Sequence, residues 1–303
     1  MRIVVTGGLG FIGSSFVNHC INNGHEVMVV DKLTYAADYD RMPKENPLLV
    51  ETLITDICDV TAEELGEYDY IVHFAAESHV DNSIKDGRPF VRTNVEGTFN
   101  LLELARQSKT LKKFIHISTD EVYGDIDVGE ADERFDLLGS SYYSATKASS
   151  DLLVLAANRT FGLPYIITRT CNNYGSHQHK EKFLPTILRS IKEGKEVPVY
   201  GDGEQVREWI DVNDNVEQIY NLMLSDEVNE IFNIGTGERF TNVKLLEKVA
   251  DVLGTSVKYK FVEDRLGHDR RYALDSTKLK ECGFDKKYKT LTDFLKEEVK
   301  KLK

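Results

Sequence analysis

The sequence MRIVVTGGLGFIG, residues 1–13, decides the fold of this chain. Residues 1–6 form a short apolar, β-branched run, which predicts a buried strand, and a helix is predicted over residues 11–22. Three glycines connect the two elements: Gly7, Gly10 and Gly13. In this order the first glycine makes a tight turn, the second lets backbone approach a pyrophosphate, and the third lets the helix pack on the strand. The helix N-terminus is then free to bind an anion.

An acidic residue after the second predicted strand indicates the kind of dinucleotide. Residues 26–30 read as a strand that ends in Asp31, about twenty residues past the glycines, where an acid accepts hydrogen bonds from a ribose. Its charge would repel a 2′-phosphate, so NAD is expected rather than NADP. The alternative is a helix-capping turn followed by an unrelated surface Asp. The order of strand, turn, helix, strand and acid disfavours that alternative.

Composition excludes several other classes of protein. The 303 residues are 41% hydrophobic and 29% charged, which suits one large α/β unit or two domains. The formal net charge is -12 without a long Lys/Arg-rich segment, so neither nucleic acid nor an anionic membrane is an expected partner. No apolar run approaches the ~18 residues of a membrane span, and a cytoplasmic location is expected. Four dispersed cysteines and the isolated pair His177 and His179 predict neither disulfides nor a metal site.

Strands and helices alternate along the first half of the chain. Strands are predicted at 2–6, 26–30, 48–54, 70–74, 113–118 and 164–169, and helices at 11–22, 61–66, 89–107 and 142–160. This rhythm predicts an α/β fold with a doubly wound, Rossmann-type parallel sheet. Shorter elements follow residue 170. We therefore expect an NAD-binding domain over residues 1–170 and a smaller C-terminal α/β substrate-binding lobe over residues 171–303, interleaved with the first domain.

Candidate site residues follow the carboxyl ends of the predicted strands, where open α/β sheets bind their ligands. Asp56 and Ile57 could flank an adenine, and the small residues of Phe74-Ala75-Ala76 would let a flat cofactor approach backbone. Read alone, that last stretch is more typical of core packing. Ser118-Thr119-Asp120-Glu121 follows the fifth strand, where acids cost stability unless they are solvated or used.

Tyr143 and Lys147 lie one turn apart on the next predicted helix and therefore face the same side. A tyrosine is a poor base near neutral pH, but a neighbouring ammonium favours the phenolate. Lys147 is therefore predicted to lower the pKa of Tyr143 and to hold the nicotinamide ribose. The alternative is an exposed helical pair. Hydride transfer alone needs only the Tyr and the Lys, so the additional acids Asp120 and Glu121 indicate elimination of water during a redox cycle.

Eight stretches together resemble a known family. They are residues 7–13, 31–35, 73–81, 118–125, 143–147, 172–175, 198–203 and 267–272. Over nearly its whole length the chain resembles the extended short-chain dehydrogenases/reductases, and more closely the dTDP-glucose 4,6-dehydratases. Thr119-Asp120-Glu121 is the discriminating motif, because the sugar-nucleotide 4-epimerases are similar elsewhere but lack the acid pair.

The resemblance implies a reaction cycle on dTDP-glucose. Tyr143, helped by Thr119, takes the proton of the C4 hydroxyl while hydride passes from C4 to NAD. Glu121 removes the C5 proton and protonated Asp120 releases the C6 hydroxyl as water. Hydride then returns to C6 and a proton to C5, so the cofactor ends oxidised and stays bound.

The resemblance also implies ligand contacts and a homodimer. Residues implied to hold the cofactor are Gly7, Gly10, Phe11, Ile12, Gly13, Asp31, Lys32, Leu33, Thr34, Asp56, Ile57, Phe74, Ala75, Ala76, Ser78, Thr93, Tyr143, Lys147 and Asn173. Residues implied to contact the sugar nucleotide are Ser78, Thr119, Asn172, Lys182, Phe183, Pro198, Val199, Tyr200, Arg207, Asn242, Arg265, Gly267 and His268. The apolar stripes of helices 89–107 and 142–160 fit the four-helix interface common in the family.

Five positions or segments depart from the family pattern. They are Ser176 to Lys180, Leu266, Tyr142, Asp211 and Asn215, the last two standing where a Tyr and a His are usual. The chemistry is expected to persist, whereas nucleotide and sugar specificity stay open. The alternatives are a dehydratase of another nucleotide sugar, an NAD-dependent sugar-nucleotide 4-epimerase and, more distantly, a non-catalytic NAD-binding module.

Overall fold

A computed structural model describes residues 1–43, 45–284 and 289–302 of the chain. Within these residues the strands are β1 (Arg2–Thr6), β2 (Glu26–Asp31), β3 (Leu49–Ile54), β4 (Tyr70–His73), β5 (Lys113–Thr119), β6 (Tyr165–Thr170), β7 (Asn172–Tyr174), β8 (Val197–Tyr200), β9 (Val206–Asp211), β10 (Glu230–Ile234), β11 (Arg239–Thr241) and β12 (Tyr259–Val262). The helices are α1 (Phe11–Asn22), α2 (Ala62–Leu65), α3 (Val80–Lys85), α4 (Arg88–Phe90), α5 (Thr98–Gln107), α6 (Tyr142–Phe161), α7 (Phe183–Glu193), α8 (Val212–Leu224), α9 (Asn242–Leu253), α10 (Thr277–Glu281) and α11 (Leu291–Leu302). A π-helical segment, Val91–Gly97, joins α4 to α5.

The largest sheet has the order β10-β6-β5-β4-β1-β2-β3, and its strands pair in parallel. From β1 the chain proceeds outward to β2 and β3, and then crosses to β4, β5 and β6 on the other side. The strand order therefore reverses between β1 and β4. At such a reversal the loops after the two strands separate and leave a cleft at the carboxyl ends.

Helices cover both faces of this sheet, which explains why its central strands are almost continuously apolar. On one face Phe16 of α1 and Ile219 of α8 join the core beneath β1 and β2. On the other face Leu101 of α5 and Val154 of α6 pack under β4 and β5. The predicted fold class is confirmed, both by this sheet and by the similarity to solved structures described below.

The C-terminal part of the chain supplies a second core and one strand of the large sheet. A three-stranded sheet, β11-β9-β7, and a two-stranded sheet, β12-β8, surround Trp209, Leu245 and Leu295. β10 instead pairs in parallel with β6 at the edge of the large sheet. The two halves of the chain thus share a sheet.

The elements absent from the predictions are short. β7, β11, β12, α3 and α10 contain three to six residues each, which is too few to show a period of 2 or 3.6. Among the described residues, no helix combines the length and apolarity that crossing a membrane requires.

Candidate active site

The glycine turn after β1 is built by close backbone contacts. Gly7 has φ +68, and a Cβ atom there would lie 2.6 Å from the backbone nitrogen of Ala75 in the loop after β4. A Cβ atom on Gly13 would lie 2.2 Å from the carbonyl oxygen of Gly7. Side chains at either position would therefore push apart the strand, the turn and the helix. Gly10 is the N-cap of α1 and brings no side chain to the helix end.

Asp31, at the end of β2, is held against this turn. Its carboxylate accepts hydrogen bonds from the backbone N–H of Leu9, at 3.1 Å, and of Leu33, at 2.9 Å. The acid is thus fixed beside the glycines, with acceptor capacity remaining on both oxygens. An uncapped helix N-terminus, a turn without side chains and a fixed carboxylate fit the pyrophosphate and ribose of a dinucleotide.

One cleft brings most of the predicted cofactor residues together. Those that line it are Gly7, Gly10, Phe11, Ile12, Gly13, Asp31, Lys32, Thr34, Ile57, Phe74, Ala75, Ala76, Ser78, Thr93, Tyr143, Lys147 and Asn173. Leu33 and Asp56 are not among the residues that line it, and their assignment to the cofactor stays a prediction. The Leu33 side chain is 41% exposed, and the Asp56 carboxylate accepts the Cys58 N–H at 3.0 Å and pairs with Lys32 at 3.7 Å.

Tyr143 and Lys147, both buried in the first turns of α6, also line this cleft. The predicted lowering of the tyrosine pKa is wrong for the structure as it stands. Burial and the nearby Glu121 raise the pKa of Tyr143, and a hydrogen bond with Thr119 opposes them only partly. The Lys147 ammonium donates to the carbonyl oxygen of Ile117 at 2.7 Å, and burial lowers the pKa of Lys147 to about 8.

Asp120 and Glu121 begin a short 3₁₀ turn directly after β5, with Thr119 as its N-cap. The Thr119 hydroxyl donates to Oδ1 of Asp120 at 3.1 Å, while Oδ2 of Asp120 is buried without a hydrogen-bond partner. Burial and the charge of Glu121 raise the pKa of Asp120 well above its usual range. Burial also raises the pKa of Glu121, but three nearby cations oppose it: Arg265, Arg207 and Lys182. The neighbouring carboxyls therefore occupy unequal environments.

Tyr272, the last residue of the motif at 267–272, contacts Glu121, although the sequence predicts no role for it. Its hydroxyl lies 3.4 Å from Oε2 of Glu121 and donates to Oδ2 of Asp269 at 2.7 Å. The Arg207 guanidinium lies 4.1 Å from the centre of the Tyr272 ring and donates to the Asp269 carbonyl oxygen at 2.9 Å. Tyr272 thus connects the pair Asp120 and Glu121 to the C-terminal lobe.

The predicted substrate residues separate into two groups. Ser78, Thr119, Asn172, Lys182 and Phe183 line the cleft. Outside its lining are Pro198, Val199, Tyr200, Arg207, Asn242, Arg265, Gly267 and His268. Tyr200 and Arg265 meet at Asp81, by a 2.9 Å hydrogen bond and a 3.7 Å ion pair. Val199, on β8, is fully buried in the C-terminal core, and its assignment to the sugar nucleotide stays a prediction.

A family model described as the NAD dependent epimerase/dehydratase family matches residues 3–235. The chain belongs to this family. The family description names NAD, which confirms the predicted cofactor at the family level, and it covers both epimerases and dehydratases.

The similarity to known proteins extends over almost the whole chain. A low-salt glycan biosynthesis protein, Agl12 of Haloferax volcanii, is 44% identical over 94% of this chain and 93% of its own length. The dTDP-glucose 4,6-dehydratase of Haemophilus influenzae is 43% identical over 92% of this chain and 91% of its own. The crystal structure of DesIV, a dTDP-glucose 4,6-dehydratase from Streptomyces venezuelae with NAD bound, has a TM-score of 0.94 and 41% identity over 99% of this chain and 96% of its own. The resemblance inferred from the motifs is confirmed.

The departures from the family pattern have different surroundings in this member of the NAD dependent epimerase/dehydratase family. Leu266 and Tyr142 are exposed, by 76% and 63%. His179 lines the cleft, and its ring packs edge-on against Tyr35 at 5.3 Å. Asp211 caps α8 by accepting the Asn213 N–H at 2.8 Å. Asn215 is completely buried, and its contacts are described below.

Proposed function

We propose that this protein is an NAD-dependent dTDP-glucose 4,6-dehydratase, which converts dTDP-glucose to dTDP-4-keto-6-deoxyglucose and water. The observation that carries the proposal is the unequal pair Asp120 and Glu121 on the wall of a cleft that also holds Tyr143 and Lys147. An epimerase needs the last two residues but has no use for an acid and a base at C5 and C6. The similarity to dTDP-glucose 4,6-dehydratases over at least 92% of the chain supports the same activity.

Tyr143 is placed to take the proton of the sugar C4 hydroxyl. Thr119 hydrogen-bonds to it and so helps to orient both hydroxyls. Bound NAD would supply the hydride acceptor for C4 and the donor for C6, and the positive charge of its oxidised ring would favour the Tyr143 phenolate. Lys147, whose pKa is about 8, carries much of its positive charge at neutral pH and is available to the nicotinamide ribose.

Asp120 and Glu121 perform the elimination. A carboxyl that is buried with one oxygen unpaired keeps its proton, so Asp120 serves as the acid that protonates the departing C6 hydroxyl. Glu121 is surrounded by Arg207, Arg265 and Lys182, which favour its ionised form, so it serves as the base that removes the C5 proton. The two roles require pKa values that differ, and the surroundings separate them in that sense.

An isotope experiment tests this cycle directly. Substrate that carries deuterium at C4 should give product with deuterium at C6, and reaction in heavy water should place deuterium at C5. Mass spectrometry would show the loss of one water, whereas an epimerase would leave the mass of the unlabelled sugar unchanged. Release of the C4 label to solvent would refute the mechanism.

Nucleotide specificity is tested with a panel of dTDP-, UDP-, CDP- and GDP-linked glucose, together with GDP-mannose. A methyl group in an apolar pocket is worth about 1–3 kcal/mol, which limits discrimination between thymine and uracil to ~10- to 200-fold. We expect the highest kcat/KM with dTDP-glucose and slower turnover of UDP-glucose. A higher kcat/KM for any other sugar nucleotide of the panel would change the assigned substrate but would leave the proposed dehydration chemistry intact.

The assembly expected for this enzyme is a homodimer formed through α5 and α6. Large apolar side chains on or next to these helices are exposed by more than half: Val91, Phe99, Tyr142, Leu152 and Phe161. Exposed large apolar side chains on two packed helices favour burial of part of this surface against a second subunit. Within each subunit we expect NAD to bind residues 1–170, whose sheet β10 completes. We expect the nucleotide sugar to bind mainly the remaining residues.

A further inference from the structure

Asn215 lies at the centre of a buried hydrogen-bond network behind the cleft. It is completely buried in α8 and is not among the residues that line the cleft. Its Nδ2 donates to Oδ1 of Asn173 at 2.9 Å, and its Oδ1 accepts a hydrogen bond from the Thr170 hydroxyl at 3.2 Å. Asn173 and Thr170 both line the cleft. In the described part of the chain, these two side chains connect Asn215 to the cleft.

The directions of these hydrogen bonds are determined by a carbonyl group. Nδ2 of Asn173 lies 3.0 Å from the carbonyl oxygen of Cys171, which can only accept. Oδ1 of Asn173 therefore faces Asn215 and requires a donor there, which the amide nitrogen of Asn215 supplies. The backbone of Asn173 is held as well, because Nε2 of Gln178 donates to its carbonyl oxygen at 2.7 Å. A reversed Asn173 amide would place two acceptors against each other at Cys171.

We propose that Asn215 is a positioning residue for the cofactor: it fixes the orientation of the Asn173 amide, so that NAD meets a donor and an acceptor in defined places. The inference rests on the proposed function, because it requires that the cleft bind NAD and that Asn173, which lines it, contact the cofactor as the family resemblance implies. It assigns a role to a position at which this chain departs from the usual His. A neutral imidazole also offers one donor and one acceptor, so both residue types can serve Asn173 and Thr170.

The proposal requires that Asn215 act through Asn173. Asn215→Leu removes the donor while it keeps an approximately similar volume and introduces no charge. Loss of one buried hydrogen bond that leaves a partner unsatisfied predicts NAD binding weaker by about 5- to 50-fold. Asn173→Ala should weaken binding to a similar extent. The double variant should be no weaker than the single variants, because two residues that act as one unit are not additive. Asn215→His should restore most of the affinity.

The readout is the fluorescence of Trp209 during titration of cofactor-stripped protein with NAD. Trp209 is the one tryptophan of the sequence, and it lines the cleft. Asn221→Leu, on the same helix but outside the cleft lining, is the matched control and should bind NAD as the unmodified chain does. Thermal unfolding of every variant separates weaker binding from loss of fold.

Two results would overturn the inference: NAD affinity of Asn215→Leu within twofold of the unmodified chain, or full additivity in the double variant. A change in substrate KM with unchanged NAD affinity would overturn it too, because Asn173 would then serve the sugar nucleotide. Failure of the unmodified chain to bind NAD is a different outcome, which refutes the proposed function itself.

Discussion

The hydroxyl of Tyr35 donates a hydrogen bond of 3.1 Å to Oε1 of Glu181, although 146 positions separate the two residues in the chain. Tyr35 follows β2, between Thr34 and Ala36, which line the cleft on the cofactor side. Glu181 lines the same cleft from the segment before α7. The contact therefore connects the loops on the two sides of the cleft mouth.

Loss of this contact should speed the release of NAD. Tyr35→Phe removes the hydroxyl but keeps the ring against His179, so we expect release to be about 3- to 10-fold faster, as for the loss of one hydrogen bond to a charged but partly exposed group. Release can be followed by Trp209 fluorescence after a chase. Tyr39→Phe, an exposed tyrosine of the same segment, is the control and should change nothing. Equal rates for Tyr35→Phe and the unmodified chain would show that the contact does not retain the cofactor.

Variants of the acid pair and of Tyr143 should be slowed at different steps of the reaction. In single turnover with dTDP-glucose, Glu121→Gln and Asp120→Asn should still oxidise C4 but slow elimination by ~10²- to 10⁴-fold, so reduced cofactor accumulates and is seen by absorbance. Tyr143→Phe should slow the oxidation itself. Build-up of reduced cofactor in Tyr143→Phe at the rate of the unmodified enzyme would contradict the assignment of the base.

Asp120→Asn should also stabilise the protein, increasingly so as pH rises from about 3.8 towards the higher pKa that Asp120 has in the folded protein. Burial raises the pKa of Asp120 well above 3.8, so between these values the folded protein binds a proton that the unfolded chain does not. The stability of the unmodified protein therefore decreases with pH across that range relative to the variant, which carries no titrating group there. Calorimetry at several pH values measures the difference. Asp136→Asn, at an exposed position, is the control. A stability difference between Asp120→Asn and the unmodified protein that does not change with pH would contradict a raised pKa of the Asp120 carboxyl.

The rate of C4 oxidation should decrease above pH 8. Burial lowers the pKa of Lys147 to about 8, so its positive charge is lost as pH rises through that value. Lys147→Arg retains a positive charge throughout, so its pH profile should lack this alkaline limb even if the rate itself is lower. Single-turnover rates between pH 6 and 10 test the assignment, and an identical limb in the Arg variant would exclude Lys147 as its source.

Charge on the exposed face of α5 should dissociate the dimer. Phe99 is 53% exposed, and Phe99→Glu would place a carboxylate where two subunits are expected to meet. Phe261 is 55% exposed on β12, away from that face, so Phe261→Glu is a matched control. Light scattering at micromolar concentration should report a dimer for the control and a monomer for Phe99→Glu. A monomeric unmodified chain would refute the expected assembly.

Local geometry explains which features the sequence could predict. The glycine turn, Asp31 and the Tyr143/Lys147 pair each depend on residues close together in the chain or on one helix face, and the cleft contains them all. Along β8 the side chains alternate, so that Val197 and Val199 are buried while Pro198 and Tyr200 are exposed, and resemblance of the motif alone does not reveal this difference. Tyr272 and Glu121 are 151 positions apart, and only the packing of the C-terminal lobe brings them together. The pKa of Tyr143 depends on its burial, which a spacing of four residues does not reveal.

The position of β10 has a consequence for the order in which the chain can fold during synthesis. β6 ends at residue 170, but the strand that pairs with its outer edge comprises residues 230–234. At roughly 5–20 residues per second, the ribosome needs about 3 to 12 seconds to make the intervening segment. During that time the N–H and C=O groups along the edge of β6 are open to pairing with another nascent chain. A polypeptide that stops at residue 170 would keep this edge permanently, so we expect a fragment of residues 1–170 to associate through it, even though it contains the glycine turn and the Tyr143/Lys147 pair.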